Sequence, residues 1–352
     1  MPNLNAHFAA FLKNLDVPAD VITYINAAKK RVKERLCQSR TAFGPAEAGG
    51  PAKVTPRFFT QGSWGYGTLN YPYETPPQQI DVDFGVYLPV SCIEDLRPSL
   101  AAKDFFFKVD AILGRLAADN QWRLDRSKET CTRVILNDLV HLDIPLYSIP
   151  DLEFNRMPLQ DENPGSLPAP AGSGIVPDDD SVDAWSDLPT DRVLLALRSG
   201  EWHESDPRMI HRWFSREVQA KSEQLRRVSR YLKAWRDKLW RTGGPSFIFL
   251  MVICANTFKR TIERDDIALM NVLRSFPDSL SAPVIIPNGS GEDITKKQKP
   301  EDIRILRKEA VRFHQDLSEA IGSSAPLDGS IVNHLGSRFR ERHSPGRLEK
   351  ME

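Results

Sequence analysis

The 352 residues suffice for two domains or one large domain with a well-buried core. A composition 41% hydrophobic and 27% charged is ordinary for a soluble globular chain, and a formal net charge of zero excludes a global polyanion-binding signature. No apolar run approaches the roughly 20 residues of a membrane span, the first turn of the chain lacks a signal peptide's charged start and apolar core, and the scattered Cys37, Cys92, Cys131 and Cys254 form no CxxC pair. A cytoplasmic protein without membrane attachment, disulfide framework or zinc site is expected.

In chain order, Phe8, Phe11, Leu12, Leu15, Val21, Ile22, Ile25 and Val32 fall at helical spacing, with Pro18 dividing a short first helix from a longer second one. Thr41 to Ala52 reads as a Gly/Ala/Pro-rich loop. Arg57 to Thr60 predicts a short strand leading into a Gly62-Ser63 turn, and the proline-rich Asn70 to Gln79 a loop. Ile80, Val82, Phe84, Val86 and Leu88 then share one parity, while Asp81, Asp83, Gly85 and Tyr87 share the other. Period two of this kind predicts a half-buried strand with its two acids on the open face. Leu96 to Asn120 predicts an amphipathic helix, followed by strands at Trp122–Leu124, Thr132–Leu136 and Leu139–Ile149. In the last of these His141, Asp143, Pro145 and Tyr147 share a face, so a third carboxylate projects 60 positions after Asp83. Sequential antiparallel strands, with helices packed on one side of an α/β sheet, are predicted. Asp151 to Pro189, rich in Pro, Asp, Gly and Ser, predicts a long exposed loop, and Val193 to Leu197 a short strand. Ser205-Asp206-Pro207 is a strong helix start, and the helix is predicted to run to Trp240. Its second half carries a basic stripe of Lys221, Arg226, Arg227, Arg230, Lys233, Arg236, Lys238 and Arg241. Gly243-Gly244-Pro245-Ser246 then opens an apolar helix, Phe247 to Phe258; the remainder to about residue 322 reads as helical apart from a Pro283 to Gly291 loop, and the basic tail from His334 is expected to fray.

The chemistry concentrates at Gly62-Ser63 with Asp81, Asp83 and Asp143. Adjacent carboxylates repel unless a cation lies between them, and hard oxygen ligands suit Mg²⁺ or Mn²⁺. A Gly-Ser turn offers N–H groups and a hydroxyl to a phosphate. Three acids from two strands suffice for two metal ions, the arrangement nucleotidyl transfer needs. In that picture the turn holds a triphosphate, Asp81 and Asp83 bridge both ions, and Asp143 binds the ion that activates the attacking hydroxyl. The competing reading is an amphipathic strand with solvated acids. The basic stripe is either a solvated helix face or a nucleic-acid or phosphate contact. Arg133 shares that ambiguity, Tyr66 suits either base stacking or core packing, and His141 reads as structural for want of metal-ligand partners.

The ordered segments Thr55 to Ser63, Asp81-Val82-Asp83, Thr130 to Arg133, His141 to Tyr147, Leu195 to Arg198, Ser205-Asp206-Pro207, Lys233 to Asp237 and Gly243 to Ser246 resemble the cGAS/DncV-like nucleotidyltransferases (CD-NTases) of the polymerase-beta superfamily, the bacterial dinucleotide cyclases most of all. The resemblance spans about residues 55 to 260 and fades beyond. It implies an α+β fold: a polymerase-beta-like sheet domain with an N-terminal spine helix (residues 1–200), a helical C-terminal lobe (201–335) with the cleft between them, and a basic tail (336–352). It implies Asp81, Asp83 and Asp143 as the catalytic, Mg²⁺-binding acids, with two ions and Mn²⁺ as an alternative. Gln61, Gly62, Ser63 and Tyr66 would line the donor nucleotide, with Arg133, Ser205, Lys233 and Ser246 as further contacts and Asp293 as a candidate beside the acceptor base. The implied activity is synthesis of a cyclic GMP-AMP-type second messenger from ATP and GTP in CBASS anti-phage signalling. The implied partners are regulatory or effector proteins of a defence operon. A cyclic trinucleotide, a pyrimidine-containing ring, a linear oligonucleotide or a catalytically silent nucleotide sensor are the alternatives. The zinc-binding insertion by which animal relatives read DNA has no His/Cys counterpart here, so DNA activation is not expected. Base choice, linkage, trigger, effector, oligomeric state and conjugation of the tail are left open.

Overall fold

A computed structural model describes residues 3–39, 43, 54–157, 188–189, 191–322 and 329–339. The chain divides into two compact units. One comprises Pro18–Gly65 and Gln79–His211; the other comprises Met1–Val17, Tyr66–Gln78 and Arg212–Glu352.

The first unit is built on an eight-stranded mixed sheet. Its centre is β2 (Ile80–Pro89), flanked on one side by β1 (Arg57–Thr60), antiparallel, and on the other by β5 (Val140–Ile144) and β6 (Leu146–Ile149), both parallel to it. β5 and β6 are two halves of one run interrupted at Pro145, which has no N–H to give a ladder. Its carbonyl still accepts from Val86 N–H at 2.9 Å, and the register holds across the break, Asp83 facing Asp143 and Val86 facing Leu146. β4 (Thr132–Ile135) and β3 (Arg123–Asp125) extend the sheet beyond β5; β7 (Leu194–Ala196) and β8 (Trp202–Glu204) extend it beyond β6, all antiparallel. The expectation of antiparallel pairing between sequential strands is therefore corrected at the centre. The connection from β2 to β5 contains α4 (Pro98–Asp119) and the β3–β4 hairpin, which is the crossover a parallel pair requires.

Alternation decides burial only in the first half of β2. Ile80, Val82 and Phe84 are buried while Asp81 is exposed and Asp83 half-buried; from Gly85 onward both faces are covered. Tyr87 stacks on Tyr147 at 4.7 Å and packs into a cluster with Ile149, Phe154 and Val193. α2 (Ala19–Gln38) lies over Phe58 and Phe84 and packs on α4, which in turn packs on β3 and β4. Two lysines of α2 are buried there: Lys33 Nζ lies over the Phe58 ring, and Lys29 Nζ lies over Trp64 and Phe84.

Asp151 to Pro189 is not all loop, since α5 (Asp151–Arg156) follows Pro150 with acids in its first turn; residues 158–187 lie outside the described residues. The Thr41–Ala52 loop lies outside them too, except Phe43, whose ring packs on Phe105.

The helical unit contains α1 (Asn5–Asn14), α7 (Glu223–Leu239), α8 (Phe247–Thr257), α9 (Asp265–Ser279), α10 (Pro300–Gly322) and α11 (Gly329–Leu335). α8 is apolar nearly all round because α7 and α9 both pack on it. The single helix predicted from Ser205 to Trp240 is two: α6 (Pro207–Lys221) ends at Ser222, whose φ of 87° starts the chain afresh into α7. The basic stripe is largely spent inside this unit. Arg227 grips Asp265, Arg230 pairs with Asn70 and Asp16, Arg226 donates to the Tyr66 carbonyl, and Arg236 donates to the Pro245 and Gly243 carbonyls. Lys221, Lys238 and Arg241 reach Ala255 O, Asn333 O and Glu74. The tail is ordered from His334 to Phe339, and residues 340–352 lie outside the described residues. The His334 ring is buried, stacks on Phe313 at 4.4 Å and places Nε2 2.6 Å from Asp316, and Phe339 packs on Phe8 and Phe11. No described helix is long and apolar enough to cross a membrane.

Candidate active site

The sheet register assembles the acids. Parallel pairing sets Asp81 beside His141 and Asp83 beside Asp143, and antiparallel β4 sets Arg133 on the far side of Asp143. Arg133 holds both Asp143 oxygens, Nε to Oδ1 at 2.6 Å and Nη2 to Oδ2 at 2.7 Å. Burial works against the Arg133 charge, but the hydrogen bonds and charge of Asp143 outweigh it and hold the guanidinium above its ordinary range. His141 lies between Asp81 Oδ1, 2.8 Å from Nε2, and Gln79 Oε1, 3.0 Å from Nδ1. Asp81, His141 and Asp143 each offer a ligand atom within 4.8 Å of the others, a donor set that fits a divalent cation.

The Gly-Ser turn closes over Asp83. Gln61 N–H donates to the Asp83 carbonyl at 3.0 Å, and the next residues form a one-turn helix, α3 (Gly62–Gly65). Gly62 has φ +63°, and a Cβ there would lie 1.9 Å from Asp83 Oδ2. Only glycine permits this approach of turn to carboxylate. From the other side Lys29 Nζ donates to Thr60 Oγ1 at 2.6 Å. Gln61 is itself buried and donates through Nε2 to Tyr147 Oη at 2.9 Å.

The remaining expected contacts fall in separate places. Ser205 bonds Val193 O through its N–H and precedes Asp206, whose carboxylate accepts from Arg208 N–H at the start of α6. In the helical unit, Tyr66 is 9% exposed and packs edge-on against Phe214. Lys233 Nζ lies 5.2 Å from the Phe247 ring centre, next to Ser246. Ser246 N–H donates to Gln298 Oε1 at 2.9 Å, and Gln298 Nε2 donates to Ile294 O. Asp293 sits at the start of that short turn and accepts from Thr295 N–H at 3.0 Å. The sequence reading missed three residues of the sheet unit that touch the site: His141 as a partner of Asp81, Gln79 behind it, and buried Lys29 under the turn. The only signal for His141 was its shared parity with Asp143.

A glycine turn laid against a carboxylate pair on a central strand, with a third carboxylate from the parallel neighbour, is an arrangement suited to nucleotidyl transfer. The family model for the nucleotidyltransferase domain of DncV-like cyclic GMP-AMP synthases matches residues 56–147, and that for the C-terminal domain of cyclic GMP-AMP synthase matches residues 222–345. The chain belongs to the DncV-like nucleotidyltransferase family. It is 37% identical over 302 residues to the cyclic GMP-AMP synthase of Vibrio cholerae serotype O1, covering 82% of this chain and 68% of that one. An Escherichia coli cyclic GMP-AMP synthase is 34% identical over 220 residues, covering 59% of this chain and 48% of its own length. The fold matches crystal structures of Vibrio cholerae DncV cyclic AMP-GMP synthase. The form bound to the linear intermediate 5′ pppA(3′,5′)pG has a TM-score of 0.61 at 28% identity, covering 81% of this chain and 69% of that one. The form bound to nonhydrolyzable GTP has a TM-score of 0.62 at 29% identity, with the same coverage.

Proposed function

We propose that this protein joins ATP and GTP by two successive nucleotidyl transfers into a cyclic GMP-AMP, in the bacterial cytoplasm, as a second messenger of CBASS anti-phage defence. In each transfer a ribose hydroxyl oxygen bonds to an α-phosphorus, the bond to the β-phosphate oxygen breaks, and pyrophosphate leaves. The linear intermediate keeps its 5′-triphosphate and is closed in the second transfer. The observation that carries the reading is the register that gathers Asp81, Asp83 and Asp143 against the Gly62 turn.

Asp81, Asp83 and Asp143 would hold Mg²⁺, or Mn²⁺ in its place. A bound divalent ion neutralises the triphosphate and keeps nucleophile and leaving group in line. The N–H groups of the Gly62-Ser63 turn receive phosphate oxygens. Asp83, in contact with that turn, fixes the distance between phosphate and acids. Arg133 exchanges Asp143 for a substrate phosphate, so the third carboxylate is released as the nucleotide arrives. Gln61 holds the turn to Tyr147. Ser205 is a further nucleotide contact, and Tyr66, Lys233, Ser246 and Asp293 are the proposed contacts of the helical unit. The sheet unit, Pro18–Gly65 with Gln79–His211, supplies the catalytic acids, and the helical unit takes the part expected of residues 201–335, with 336–352 as a basic tail. Regulatory or effector proteins of a defence operon are the proposed partners, and DNA is not an activator.

The test is incubation with labelled NTPs and Mg²⁺, phosphatase treatment, then mass spectrometry and nuclease P1 digestion. A phosphatase-resistant product of cyclic GMP-AMP mass is expected, lost in the Asp81→Asn, Asp83→Asn double variant. A trinucleotide, pyrimidine-containing or linear product would replace the product assignment. Nucleotide binding without turnover, from folded protein and in infected-cell extract, would replace it with a silent sensor.

A further inference from the structure

We propose that Gln298 is a positioning residue for nucleotide binding in the helical unit; this rests on the reading of Ser246 and Asp293 as nucleotide contacts. Its side-chain amide ties Ser246 to the turn that carries Asp293 and commits the Ser246 hydroxyl to donate its hydrogen to a nucleotide oxygen. Hydrogen-bond directions carry it. Ser246 N–H can only donate, so the Gln298 atom 2.9 Å from it is the oxygen, Oε1. Ile294 O can only accept, so the Gln298 atom 2.9 Å from it is the nitrogen, Nε2. Both bonds demand the same orientation of the amide. The second hydrogen of Nε2 falls to Ser246 Oγ, at a longer 3.4 Å.

Ser246 stands just before α8 with φ −63° and ψ 146°, the backbone of a helix-capping serine. Such a hydroxyl ordinarily accepts from an N–H of the helix's first turn. Here it makes no capping bond. Its oxygen receives the Gln298 hydrogen instead, and its own hydrogen is left to turn toward a ligand from a half-buried position. The start of α8, and Lys233 Nζ over the ring of Phe247 next in the chain, favour negative charge at the same place, so the acceptor that fits is a phosphate oxygen. The other end of the amide acts on Asp293. The turn that follows it, Ile294–Lys297, is braced by Ile294 N–H to Val284 O at 2.9 Å, Val284 N–H to Thr295 Oγ1 at 2.9 Å and Thr295 N–H to Asp293 Oδ1 at 3.0 Å. Through Ile294 O, Gln298 sets that braced turn at a fixed distance from Ser246, its partner 52 positions earlier in the chain. A phosphate contact and a base contact are thereby held in one frame, and Gln298 acts on nucleotide affinity without touching the reacting atoms.

The test uses the full chain with Mg²⁺ and nonhydrolysable ATP and GTP analogues, whose Kd values are measured by calorimetry, alongside steady-state kinetics on ATP and GTP. Ser246→Ala identifies the nucleotide that the serine contacts, as the one whose Kd rises. Gln298→Met keeps the length of the side chain and makes neither bond. It is expected to raise the Kd and KM of that same nucleotide roughly three- to tenfold, with kcat changed less than about twofold. In the Ser246→Ala background the same substitution should add less than it does in the wild type, because both act through one hydroxyl. Gln298→Glu still accepts from Ser246 N–H but takes the hydroxyl hydrogen from the ligand, and should weaken binding at least as much. If the melting curve shows that Gln298→Met does not fold, Gln298→Glu decides. An unchanged Kd in folded Gln298→Met, with or without a lowered melting temperature, overturns the proposal, as do losses that add fully with those of Ser246→Ala. A Kd untouched by Ser246→Ala overturns the proposal together with the role of Ser246, and leaves the metal-dependent transfer standing. Wild-type protein that binds neither analogue overturns the nucleotidyltransferase reading itself.

Discussion

At Gly62 a single missing Cβ lets the turn after β1 lie against the acidic strand β2. Gly62→Ala places a methyl group 1.9 Å from Asp83 Oδ2 and asks alanine to hold φ +63°. The carboxylate must move, and an ångström of misplacement at a reacting centre costs about a hundredfold. The expected result is a loss of about that size in product formation, with a stability cost of only about 1–2 kcal/mol by thermal melting. A near-wild-type rate would show that the turn does not set the position of Asp83. The acids themselves were legible in the sequence, because period-two alternation tells which face a side chain takes. It does not tell which strand lies alongside. That is why Asp143 could be paired with the others only by analogy of parity, and why the partners of His141 and Arg133 were not legible.

Among elements, the junction of α6 and α7 is the clearest departure from expectation. Ser222 holds φ 87° and ψ 164°, a region that non-glycine residues occupy at a cost of about 1–3 kcal/mol, and its hydroxyl is buried without a partner. Ser222→Gly should therefore stabilise the protein by about 1 kcal/mol, seen as a rise in melting temperature of roughly 2–4 °C. A lower melting temperature would mean that the serine is favoured there for a reason its geometry does not reveal. No Gly or Pro marks the break, so the helical periodicity reads straight through it. The basic stripe misleads in a similar way. Its charges read as a surface feature because their partners, Asp16, Asn70, Glu74 and Asp265, are scattered along the chain and only the tertiary fold brings them in. In the sheet unit α2, α4 and the strands from β1 to β7 were legible nearly to their ends, whereas α5, β8 and the parallel pairing of β2 with β5 were not, the last because periodicity is blind to strand direction.

For the molecule as a whole, acid should act in two stages. Burial outweighs Asp316 and pushes the His334 imidazole below its ordinary value of 6.5. The unfolded chain then binds more protons than the folded one, so this contribution is fully present above about pH 6.5 and is lost as pH falls through the lower folded value. Asp265 is pushed up by burial but held lower still by Arg227, Gln224 and Tyr231, below its ordinary value of 3.8. Its contribution is present above that pH and lost as pH falls further. Melting temperature measured against pH should decline first below about 6.5 and again in the carboxylate range, and His334→Gln should reduce the first decline, to which His314, also held below 6.5 by burial and then by Arg274, contributes the rest. A flat profile down to pH 5 would contradict the burial of His334 as a neutral ring.

The pairing of β2 with β5 bears on how the site comes into being during synthesis. Asp81 and Asp83 leave the ribosome 60 residues ahead of His141 and Asp143. Until α4 and the β3–β4 hairpin have followed and β5 has docked, the nascent chain carries two like charges on an open strand with nothing to join them. Closing so long a loop is slow relative to local helix formation. A chain stopped before Val140 therefore holds Asp81 and Asp83 but lacks Asp143, the third of the proposed metal ligands.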